Sequence, residues 1–338
     1  MLTRIGIVGA TGLVGEEILN CMIGLDIKYD NLILFGSKNS SGKLINFKNK
    51  AYIIQEVEEN SFKDLDYVFF AISNELSKKY YEYAKKYSCI VIDNSSEFRI
   101  SPEIPLIVPE VNANLLSKQN KLIANPNCVA SMVTLALSNI SKIFGLERIV
   151  ITTYQAASGA GKKGIDELHR QATEYMVKNE IWTDNMFGRQ YMWNIFSHNS
   201  KINLENGYND EEIKIIDETK KILNDKNIRI SVTCVRVPVF RAHSISINLT
   251  LKKNVSENVF RETLINTKGI KIIDDRKLNQ FPEPINAAGK YPIFVGRIRK
   301  DIGQNDGIGY EMFICGDQVL KGAALNAIQI LKYIQENN

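Results

Sequence analysis

One cysteine stands where the backbone around it would make a thiol reactive. Cys128 follows the turn N-P-N and opens the apolar run V-A-S-M-V-T-L-A-L, which predicts a helix that begins at the thiol. The N–H groups and positive dipole end of a helix N-terminus lower a thiol pKa and stabilise the thiolate. The same groups could hold an oxyanion. The pattern predicts a nucleophile, with a buried structural thiol as the common alternative for a free Cys.

The other four cysteines fit the structural alternative. Cys21 lies in a helical run, whereas Cys89, Cys234 and Cys315 lie in strand-like runs, and no C-x-x-C pair occurs. An odd number of widely spaced thiols is neither a disulfide framework nor a zinc site. We therefore expect free thiols in a reducing compartment.

Three histidines are candidates for a proton-transfer group beside Cys128. His169 lies in the polar helical stretch E-L-H-R-Q and is predicted on a solvated face; His198 lies in the loop F-S-H-N-S, where a structural or interface role is expected. His243 lies where one strand ends and the next begins, seven residues after Arg236. A cation and an imidazole at facing strand ends can converge on one pocket, although a capped turn histidine is an equal alternative.

A glycine-rich turn near the N-terminus suits the phosphates of a dinucleotide. The segment G-A-T-G-L-V-G at 9–15 follows the strand-like run Arg4–Val8 and opens a helix. Gly9 permits the tight turn, Gly12 lets the backbone approach a pyrophosphate, and Gly15 lets helix and strand pack closely. The helix N-terminus adds N–H groups and a positive dipole end. The flanking strand and helix favour a dinucleotide site over a tight structural turn.

The end of the second predicted strand indicates the kind of dinucleotide. That strand should end near Phe35, where NAD-binding versions place an acidic residue against the ribose 2′-hydroxyl. The following residues include no Asp or Glu, but they do include Ser37, Lys38, Asn39, Ser40 and Lys43. Small hydroxyls with nearby cations suit a 2′-phosphate and favour NADP, with a polar surface loop as the alternative.

Two predicted β-sheets, one parallel and one mostly antiparallel, must position these residues. The first 130 residues alternate short apolar runs with helix-like stretches, which predicts a Rossmann-type doubly wound parallel sheet in an α/β protein. The run Ser244–Leu251 alternates apolar and polar residues, which is typical of an antiparallel sheet with one solvent-exposed face. We expect a nucleotide-binding domain over 1–130, completed by the C-terminal helix 318–338, and an α+β domain with a mostly antiparallel sheet over 131–317.

Composition excludes several classes of protein. The 338 residues include 42 Lys and Arg and 38 Asp and Glu. The resulting net charge of +4 is small for a nucleic-acid-binding protein. No apolar stretch approaches the roughly 18–20 residues that span a bilayer, and no signal-peptide pattern opens the chain. We expect a soluble cytoplasmic protein with no metal, membrane or nucleic-acid partner.

Together these motifs resemble the aspartate-semialdehyde dehydrogenase family. The segments that carry the resemblance occur in the family's order from the first strand to the C-terminal helix: G-A-T-G-L-V-G at 9–15, D-N-S-S-E-F-R at 93–99, V-P-E-V-N at 108–112, N-P-N-C at 125–128, T-Y-Q-A-A-S-G-A-G at 153–161, E-E-I-K at 211–214, C-V-R-V-P-V-F-R-A-H-S at 234–244, F-V-G-R-I-R-K-D at 294–301 and L-K-G-A-A at 320–324. Each segment is weak alone, but their joint order and spacing are highly specific.

The resemblance implies NADPH-dependent, reversible reduction of 4-phospho-L-aspartate to L-aspartate 4-semialdehyde, with release of phosphate. This reaction belongs to the synthesis of lysine, diaminopimelate, methionine and threonine. By the same resemblance Cys128 is the nucleophile that forms an acyl thioester, His243 the acid/base, and Gln155 a hydrogen-bonding partner of the acyl intermediate. The family forms homodimers, some of which pair into homotetramers, through the second domain.

Substrate and cofactor contacts also follow from the resemblance. The expected substrate contacts are Arg236 for the carboxylate, Glu211 for the amino group, and Arg99, Asn127 and Lys214 for phosphate. The expected cofactor contacts are Gly9, Thr11, Gly12, Leu13, Val14, Ser37, Asn39, Ser40, Ser73, Ser158, Gly159 and Gln318. The family commonly carries arginine where Asn39 stands, a charge that Lys38 or Lys43 would have to replace.

The residues themselves agree with a substrate of mixed charge. Glu211 and Lys214 are three apart on a predicted helix that Asn209 caps with Glu212 at the fourth place, so they share a face. One carboxylate and one ammonium on that face suit an amino acid phosphate, whereas a surface ion pair is the alternative. Arg236 offers a bidentate fork for a carboxylate.

Two other functions stay open. N-acetyl-glutamyl-phosphate reductase, the sister enzyme, shares the glycine turn and cysteine chemistry, but it usually has a P-G-C-Y-P turn and a substrate without a free amino group. The N-P-N-C turn and Glu211 argue against it. A non-catalytic NADP-binding redox sensor is the second alternative, and it would not need Arg99, Lys214, Arg236 and Gln155.

Overall fold

The structure is a computed structural model that describes residues 3–117, 119–178, 186–304 and 307–337. The chain divides into two units, Met1–Asn127 with Ala323–Asn338, and Cys128–Gly322. The boundaries predicted from sequence place 128–130 and 318–322 in the nucleotide-binding domain, whereas in the structure these residues belong to the second unit. Among the described residues, every helix is too short or too polar to cross a membrane.

Unit 1 is built on a seven-stranded sheet, whose strands are β1 Arg4–Val8, β2 Asn31–Gly36, β3 Leu44–Phe47, β4 Lys50–Glu56, β5 Tyr67–Phe70, β6 Ile90–Asp93 and β7 Leu122–Ala124. Their order in the sheet is β3-β4-β2-β1-β5-β6-β7. In the part of the chain that the structure describes, only the β3–β4 pair is antiparallel, so the predicted parallel sheet is confirmed. The helices are α1 Leu13–Gly24, α2 Asn74–Ala84, α3 Pro109–Asn112 and, from the chain end, α9 Leu325–Asn337.

The strand order of unit 1 reverses at its central strand. β1 pairs with β2 on one side and with β5 on the other. Residues 5–8 of β1 are fully buried, as expected for a parallel strand covered on both faces. The carboxyl ends of the strands around such a reversal form the crevice in which doubly wound folds bind ligands. The glycine-rich turn follows β1 at this point.

Unit 2 is built on a second seven-stranded sheet, whose strands are β8 Leu146–Gln155, β9 Phe196–Ser197, β10 Arg229–Arg236, β11 His243–Leu251, β12 Ile270–Ile272, β13 Ile293–Lys300 and β14 Gly309–Gly316. Their order in the sheet is β12-β13-β14-β11-β8-β10-β9. Of the neighbouring strand pairs formed by described residues, four are antiparallel and two are parallel, so the mostly antiparallel sheet is confirmed. Its helices are α4 Cys128–Phe144, α5 Gly161–Lys178, α6 Asp210–Leu223, α7 Glu257–Ile265 and α8 Pro284–Ala287.

The central strand of unit 2 follows the alternation in the sequence. In β11, Ile245, Ile247 and Leu249 are buried and Ser246 is exposed, whereas Thr250 on the polar side is also buried. The predicted C-terminal helix begins with a π-helical turn, Leu320–Ala324, and continues as α9.

Candidate active site

The glycine-rich turn of unit 1 has the close approaches predicted for it. Gly9 has φ +87°, and a Cβ there would lie 2.2 Å from the carbonyl oxygen of Ala71. A Cβ on Gly15 would lie 2.2 Å from the carbonyl oxygen of Gly9, so the turn folds directly against α1. Gly12 is the N-cap of α1, and no side chain caps the helix there. The uncapped first turn has N–H groups available for phosphate.

The segment after β2 forms a tight polar turn. The carbonyl of Ser37 accepts hydrogen bonds from the N–H groups of Ser40, at 2.8 Å, and Ser41, at 3.0 Å. The side chains of Ser37 and Asn39 are exposed. The expected contacts Thr11, Leu13 and Val14 lie in the glycine turn and the first turn of α1, and Ser73 is the exposed N-cap of α2.

Two expected phosphate ligands also belong to unit 1. Arg99 is 9% exposed, and its Nη2 donates to the carbonyl of Asn94 at 2.7 Å. Asn127, the last residue before Cys128, is 6% exposed. The segment before Asn127 is held by amides, because Asn125 donates to the Oδ1 of Asn94 and accepts from the Nδ2 of Asn326.

Cys128 is the first residue of α4, as the N-P-N-C turn predicts. Residues 129–137 of this helix are all buried, which fixes the half-buried thiol at a rigid helix end. A Cβ on Gly322 would come within 2.5 Å of the Cβ of Cys128, so only glycine fits against the thiol on that side. A helix N-terminus of this kind stabilises a thiolate. The other four cysteines are buried.

Three neighbouring strands of unit 2 bring polar side chains to one edge of the sheet. The parallel β8 and β10 end together, with Gln155 opposite Arg236 in the register. The antiparallel β11 begins at the same edge, with Ser244 opposite Tyr154 and His243 just before it. Gln155, Arg236 and His243 are 2%, 4% and 0% exposed. Strand register therefore assembles three of the predicted site residues.

His243 is held in one tautomer by the backbone. The N–H of Ala156 donates to its Nδ1 at 3.0 Å, so in the neutral ring the proton is on Nε2. Burial, and after it the charge of Arg236, holds the pKa of His243 well below its ordinary value. The ring is therefore neutral near pH 7, with an N–H at Nε2.

Arg236 is a buried cation on which the charge of Cys128 acts. Burial lowers the pKa of its guanidinium, while the charges of Tyr191, Glu211 and Cys128 act in the opposite direction. Its Nε donates to the Oδ1 of Asn199 at 2.8 Å. An arginine that carries its charge in so buried a position is suited to pair with an anionic ligand.

Helix α6 carries Glu211 and Lys214, the predicted pair of opposite charges. Asn209 and Glu212 form the predicted capping box, with both reciprocal hydrogen bonds present. The Nε2 of Gln155 donates to the Oε1 of Glu211 at 3.5 Å, the limit of a hydrogen bond. Lys214 lies three residues further along α6 and is half-buried. The predicted charge pair therefore lies beside the strand ends.

Gly159 marks the point where two of these groups meet. A Cβ on Gly159 would lie 3.1 Å from the Nε2 of His243 and 3.7 Å from the Nη1 of Arg236. Both nitrogens are buried, and neither makes a hydrogen bond to any described residue. Buried polar atoms are normally paired, so two such atoms facing one glycine suit a polar ligand.

The expected contacts Ser158 and Gln318 lie in the same unit and touch each other. The Nε2 of Gln318 donates to the Oγ of Ser158, and its Oε1 accepts from the N–H of Ala242 at 3.0 Å. Both side chains are buried. Gln318 thereby fixes the residue before His243.

Three residues that the sequence does not assign to the site hold Arg236. His198, expected in a structural or interface role, places its Nε2 2.9 Å from the Nη2 of Arg236. Asn199 and Tyr191, which drew no expectation, also interact with this guanidinium. No motif marks them, because their position depends on the two-residue strand β9, which pairs with β10.

Comparison with known proteins agrees with this organisation. Residues 4–119 match a family model described as semialdehyde dehydrogenase, NAD binding domain, and residues 137–321 match one described as semialdehyde dehydrogenase, dimerisation domain. An aspartate-semialdehyde dehydrogenase of Aquifex aeolicus is 40% identical over 334 residues, 98% of this chain and 97% of that protein. The Bacillus subtilis enzyme is 35% identical over 342 residues, 99% and 98% of the two chains.

A solved structure shows the same fold. Aspartate semialdehyde dehydrogenase II of Vibrio cholerae, complexed with ASA, matches with a TM-score of 0.94 and 36% identity, and the match covers 99% of both chains. Full-length relatives at this identity establish the family and an oxidoreductase activity. The protein belongs to the aspartate-semialdehyde dehydrogenase family.

Proposed function

We propose that this enzyme reduces 4-phospho-L-aspartate to L-aspartate 4-semialdehyde with NADPH, through a thioester on Cys128, and that the reaction is reversible. The observation that carries the proposal is the convergence at Gly159 of His243 Nε2 and Arg236 Nη1, two buried nitrogens without described partners. One suits an acyl oxygen and the other a carboxylate, and the charge of Cys128 acts on the same arginine. The product is the starting material for lysine, diaminopimelate, methionine and threonine synthesis.

The substrate would be held by charges at both ends. Arg236 would bind the α-carboxylate through the edge of the guanidinium that includes Nη1, because a fork of two N–H groups fits a carboxylate. Glu211 would accept from the α-ammonium group, and Lys214, on the same helix, would meet the phosphate together with Arg99 and Asn127. An amino acid phosphate has the charges that this set requires.

Cys128 would carry the covalent step. The thiolate attacks the acyl carbon, the bond from that carbon to the phosphate oxygen breaks, and phosphate leaves with the electron pair. The acyl group stays on Sγ as a thioester, and Gln155, buried at the end of β8, would donate a hydrogen bond to it. NADPH, when bound, supplies the hydride that reduces this thioester. Breakage of the carbon–sulfur bond then frees the aldehyde and restores the thiolate.

His243 would act through Nε2. In the tautomer that Ala156 selects, Nε2 carries a proton and can donate a hydrogen bond to the acyl oxygen as negative charge develops there. To accept a proton at Nε2 as a general base, the ring would have to move its proton to Nδ1 and lose the hydrogen bond from Ala156. The acid/base role expected from the resemblance therefore begins, in this arrangement, with His243 as a donor.

The residues of unit 1 fit a dinucleotide with a 2′-phosphate. Gly9 and Gly15 let the turn fold against neighbouring backbone where a side chain would clash, and the turn leads into the uncapped N-terminus of α1. Ser37, Asn39 and Ser40 directly follow β2, and residues 37–43 include no Asp or Glu that would repel a phosphate. Gly12 and the first turn of α1 would hold the pyrophosphate, and Ser73, Ser158, Gly159 and Gln318 are the remaining proposed contacts.

Steady-state assay of the reverse reaction tests the proposal. The enzyme should reduce NADP⁺ only when L-aspartate 4-semialdehyde and phosphate, or arsenate in its place, are both present. Cys128→Ala should abolish turnover and leave NADPH binding, measured by fluorescence titration, unchanged. A faster reaction with N-acetyl-glutamate semialdehyde, or turnover by the alanine variant, would refute the proposal.

We also propose that the protein is a homodimer assembled through unit 2. Residues 137–321 match a family model described as a dimerisation domain. Sedimentation equilibrium should give twice the chain mass of 38.3 kDa, and four times that mass if the dimers pair. A species of 38.3 kDa at micromolar concentration would contradict the assignment.

A further inference from the structure

The buried arginine of the site is held by a histidine that no motif predicts. Arg236 ends β10, and β10 pairs with the two-residue strand β9 so that Arg236 lies opposite Phe196. The pairing continues one residue further, where the N–H of His198 donates to the carbonyl of Cys234 at 2.9 Å. Side chains two apart on a strand share a face, so His198 is a diagonal neighbour of Arg236 on the site's side of the sheet.

The segment after β9 occupies one edge of the guanidinium. The Nε of Arg236 donates to the Oδ1 of Asn199 at 2.8 Å, and its Nη2 donates to the Nε2 of His198 at 2.9 Å. In a planar guanidinium the Nε–H and the nearer N–H of Nη2 point the same way and form one edge. The other edge, formed by Nη1 and the second N–H of Nη2, remains for a ligand, in agreement with the unpaired Nη1.

The neighbours of His198 keep its Nε2 a hydrogen-bond acceptor. Because Nη2 has only hydrogens to offer, the Nε2 of His198 must carry a lone pair and its Nδ1 the proton. The Oγ of Ser200 lies 3.1 Å from Nδ1 and accepts that proton's hydrogen bond in this tautomer. The backbone N–H of Ser200 also approaches Nδ1, at 3.3 Å, but it cannot donate to a nitrogen that carries a proton, whereas Arg236 can only donate to Nε2. The same Oγ accepts from the backbone N–H of Glu211 at 3.2 Å. His198 therefore connects Arg236 to the first turn of α6.

We propose that His198 is a positioning residue, which holds Arg236 so that its Nη1 edge faces the substrate carboxylate. Its contribution lies in the orientation of the fork, because the charge is already supplied by Arg236. The proposal rests on the proposed function, in which Arg236 binds the carboxylate of L-aspartate 4-semialdehyde. The cation–π contact of the guanidinium with Phe187, at 5.4 Å from its ring centroid, limits tilting, and Tyr191 also interacts with the group. His198 and Asn199 restrict its rotation in the plane, because both accept hydrogen bonds along one edge.

A pair of variants separates the acceptor from the bulk of the side chain. His198→Leu removes the acceptor at similar volume, whereas His198→Gln places an amide oxygen near the position of Nε2. For L-aspartate 4-semialdehyde we expect His198→Leu to raise KM at least tenfold with kcat within threefold, and His198→Gln to recover most of the loss. Equal KM values for His198→Leu and wild type, or equal losses in both variants, would refute the positioning role.

Two further measurements distinguish the positioning role of His198 from a general loss of structure in the variant. With 3-aminopropanal, which lacks the carboxylate, His198→Leu and wild type should have kcat/KM values within threefold of each other. In an Arg236→Lys background, His198→Leu should change KM by less than twofold, because a residue that acts through Arg236 has little left to orient. Additive losses in the double variant, or a matching loss with 3-aminopropanal, would instead show a merely structural role.

Failure of the proposed function and failure of the positioning role give different results. Wild-type enzyme that fails to turn over L-aspartate 4-semialdehyde with phosphate would refute the proposed function. Wild-type activity combined with an unchanged KM in His198→Leu would refute only the positioning role. Binding of NADPH to each variant, measured by fluorescence titration, should equal that of wild type.

Discussion

The backbone N–H of Ala156 donates to the Nδ1 of His243 at 3.0 Å, and this hydrogen bond determines which chemistry the imidazole can begin with. A ring nitrogen that accepts carries no proton, so the neutral imidazole has its N–H at Nε2. Protonation of Nδ1 would set two N–H groups against each other in a fully buried place. The arrangement thus favours a neutral His243 that donates to an oxyanion over one that takes the thiol proton.

Amide substitutions at His243 test this role. The side-chain amide of His243→Gln reaches about as far as Nε2 and can donate there, whereas that of His243→Asn reaches only to Nδ1. If donation is the role, His243→Gln should retain about tenfold more kcat than His243→Ala, and His243→Asn should resemble His243→Ala. Equal rates for the glutamine and alanine variants would favour a general base instead.

Gly159 should tolerate no side chain during catalysis. Gly159→Ala places a Cβ 3.1 Å from the Nε2 of His243 and 3.7 Å from the Nη1 of Arg236, where the substrate's oxygens are proposed to bind. We expect kcat/KM for the semialdehyde to fall by at least tenfold, with a change in Tm of no more than about 2 °C. The backbone can accept alanine, because the φ of Gly159 lies outside the left-handed region.

Gly303→Ala is the matched control for this substitution. Gly303 is exposed, and the nearest atom to its added Cβ is a carboxylate oxygen of Asp301, at 3.1 Å, the end of a short side chain. Its kcat/KM should stay within twofold of wild type. A similar loss of activity in both glycine variants would show that Gly159 acts through the backbone and not through its position in the site.

The sequence predicted the elements that local patterns specify. The continuous apolar run of β1, the glycine turn after it and the capping box at Asn209 all appear where expected. Cys128 was identifiable because a turn followed by an apolar helix is visible in neighbouring residues. Such signals span a few residues and depend little on the rest of the chain.

The parts that escaped prediction depend on strand register between distant segments. His198 and Arg236 are 38 residues apart in sequence, and only the pairing of β9 with β10 brings them together. A two-residue strand has no periodicity to recognise. The tautomer of His243 likewise depends on the end of β8, 87 residues earlier, and a histidine in a sequence says nothing of which nitrogen is bonded.

A carboxylate at the turn after β2 should change cofactor preference. Asn39 is exposed in that turn, close in sequence to Lys38 and Lys43, and no acidic residue follows β2 directly. Asn39→Asp should lower kcat/KM for NADP⁺ by at least tenfold through repulsion of the 2′-phosphate, and change kcat/KM for NAD⁺ by less than threefold.

Asn31→Asp controls for the added charge. Asn31 is also exposed, but it begins β2 and so lies at the opposite end of the same strand. The NADP⁺ to NAD⁺ ratio of kcat/KM should be unchanged in this variant. A ratio for Asn39→Asp equal to that of wild type would place the 2′-phosphate elsewhere.

Stability should fall at mildly acid pH because of His198. Burial, its largest cause, lowers the pKa of His198 to about 4, and the charges of Arg236 and Lys214 act in the same direction while Glu211 opposes them. The unfolded chain, with a histidine pKa of about 6.5, binds a proton between these values that the folded protein does not. The free energy of unfolding is therefore undiminished above about pH 6.5 and falls as the pH decreases towards 4.

Urea unfolding at several pH values measures this contribution. Between pH 6.5 and 5, the free energy of unfolding of wild type should fall by about 1–2 kcal/mol more than that of His198→Gln, which has no proton to bind there. His169→Gln is the matched control, because His169 is exposed on α5 with its ring 4.4 Å from that of Phe240. In this control the free energy of unfolding should fall with pH as it does in wild type. The two buried histidines, His198 and His243, both remain in it, and burial lowers the pKa of His243 as well. If His198→Gln shows the same slope as wild type, His198 is protonated in the folded protein and cannot accept from Arg236.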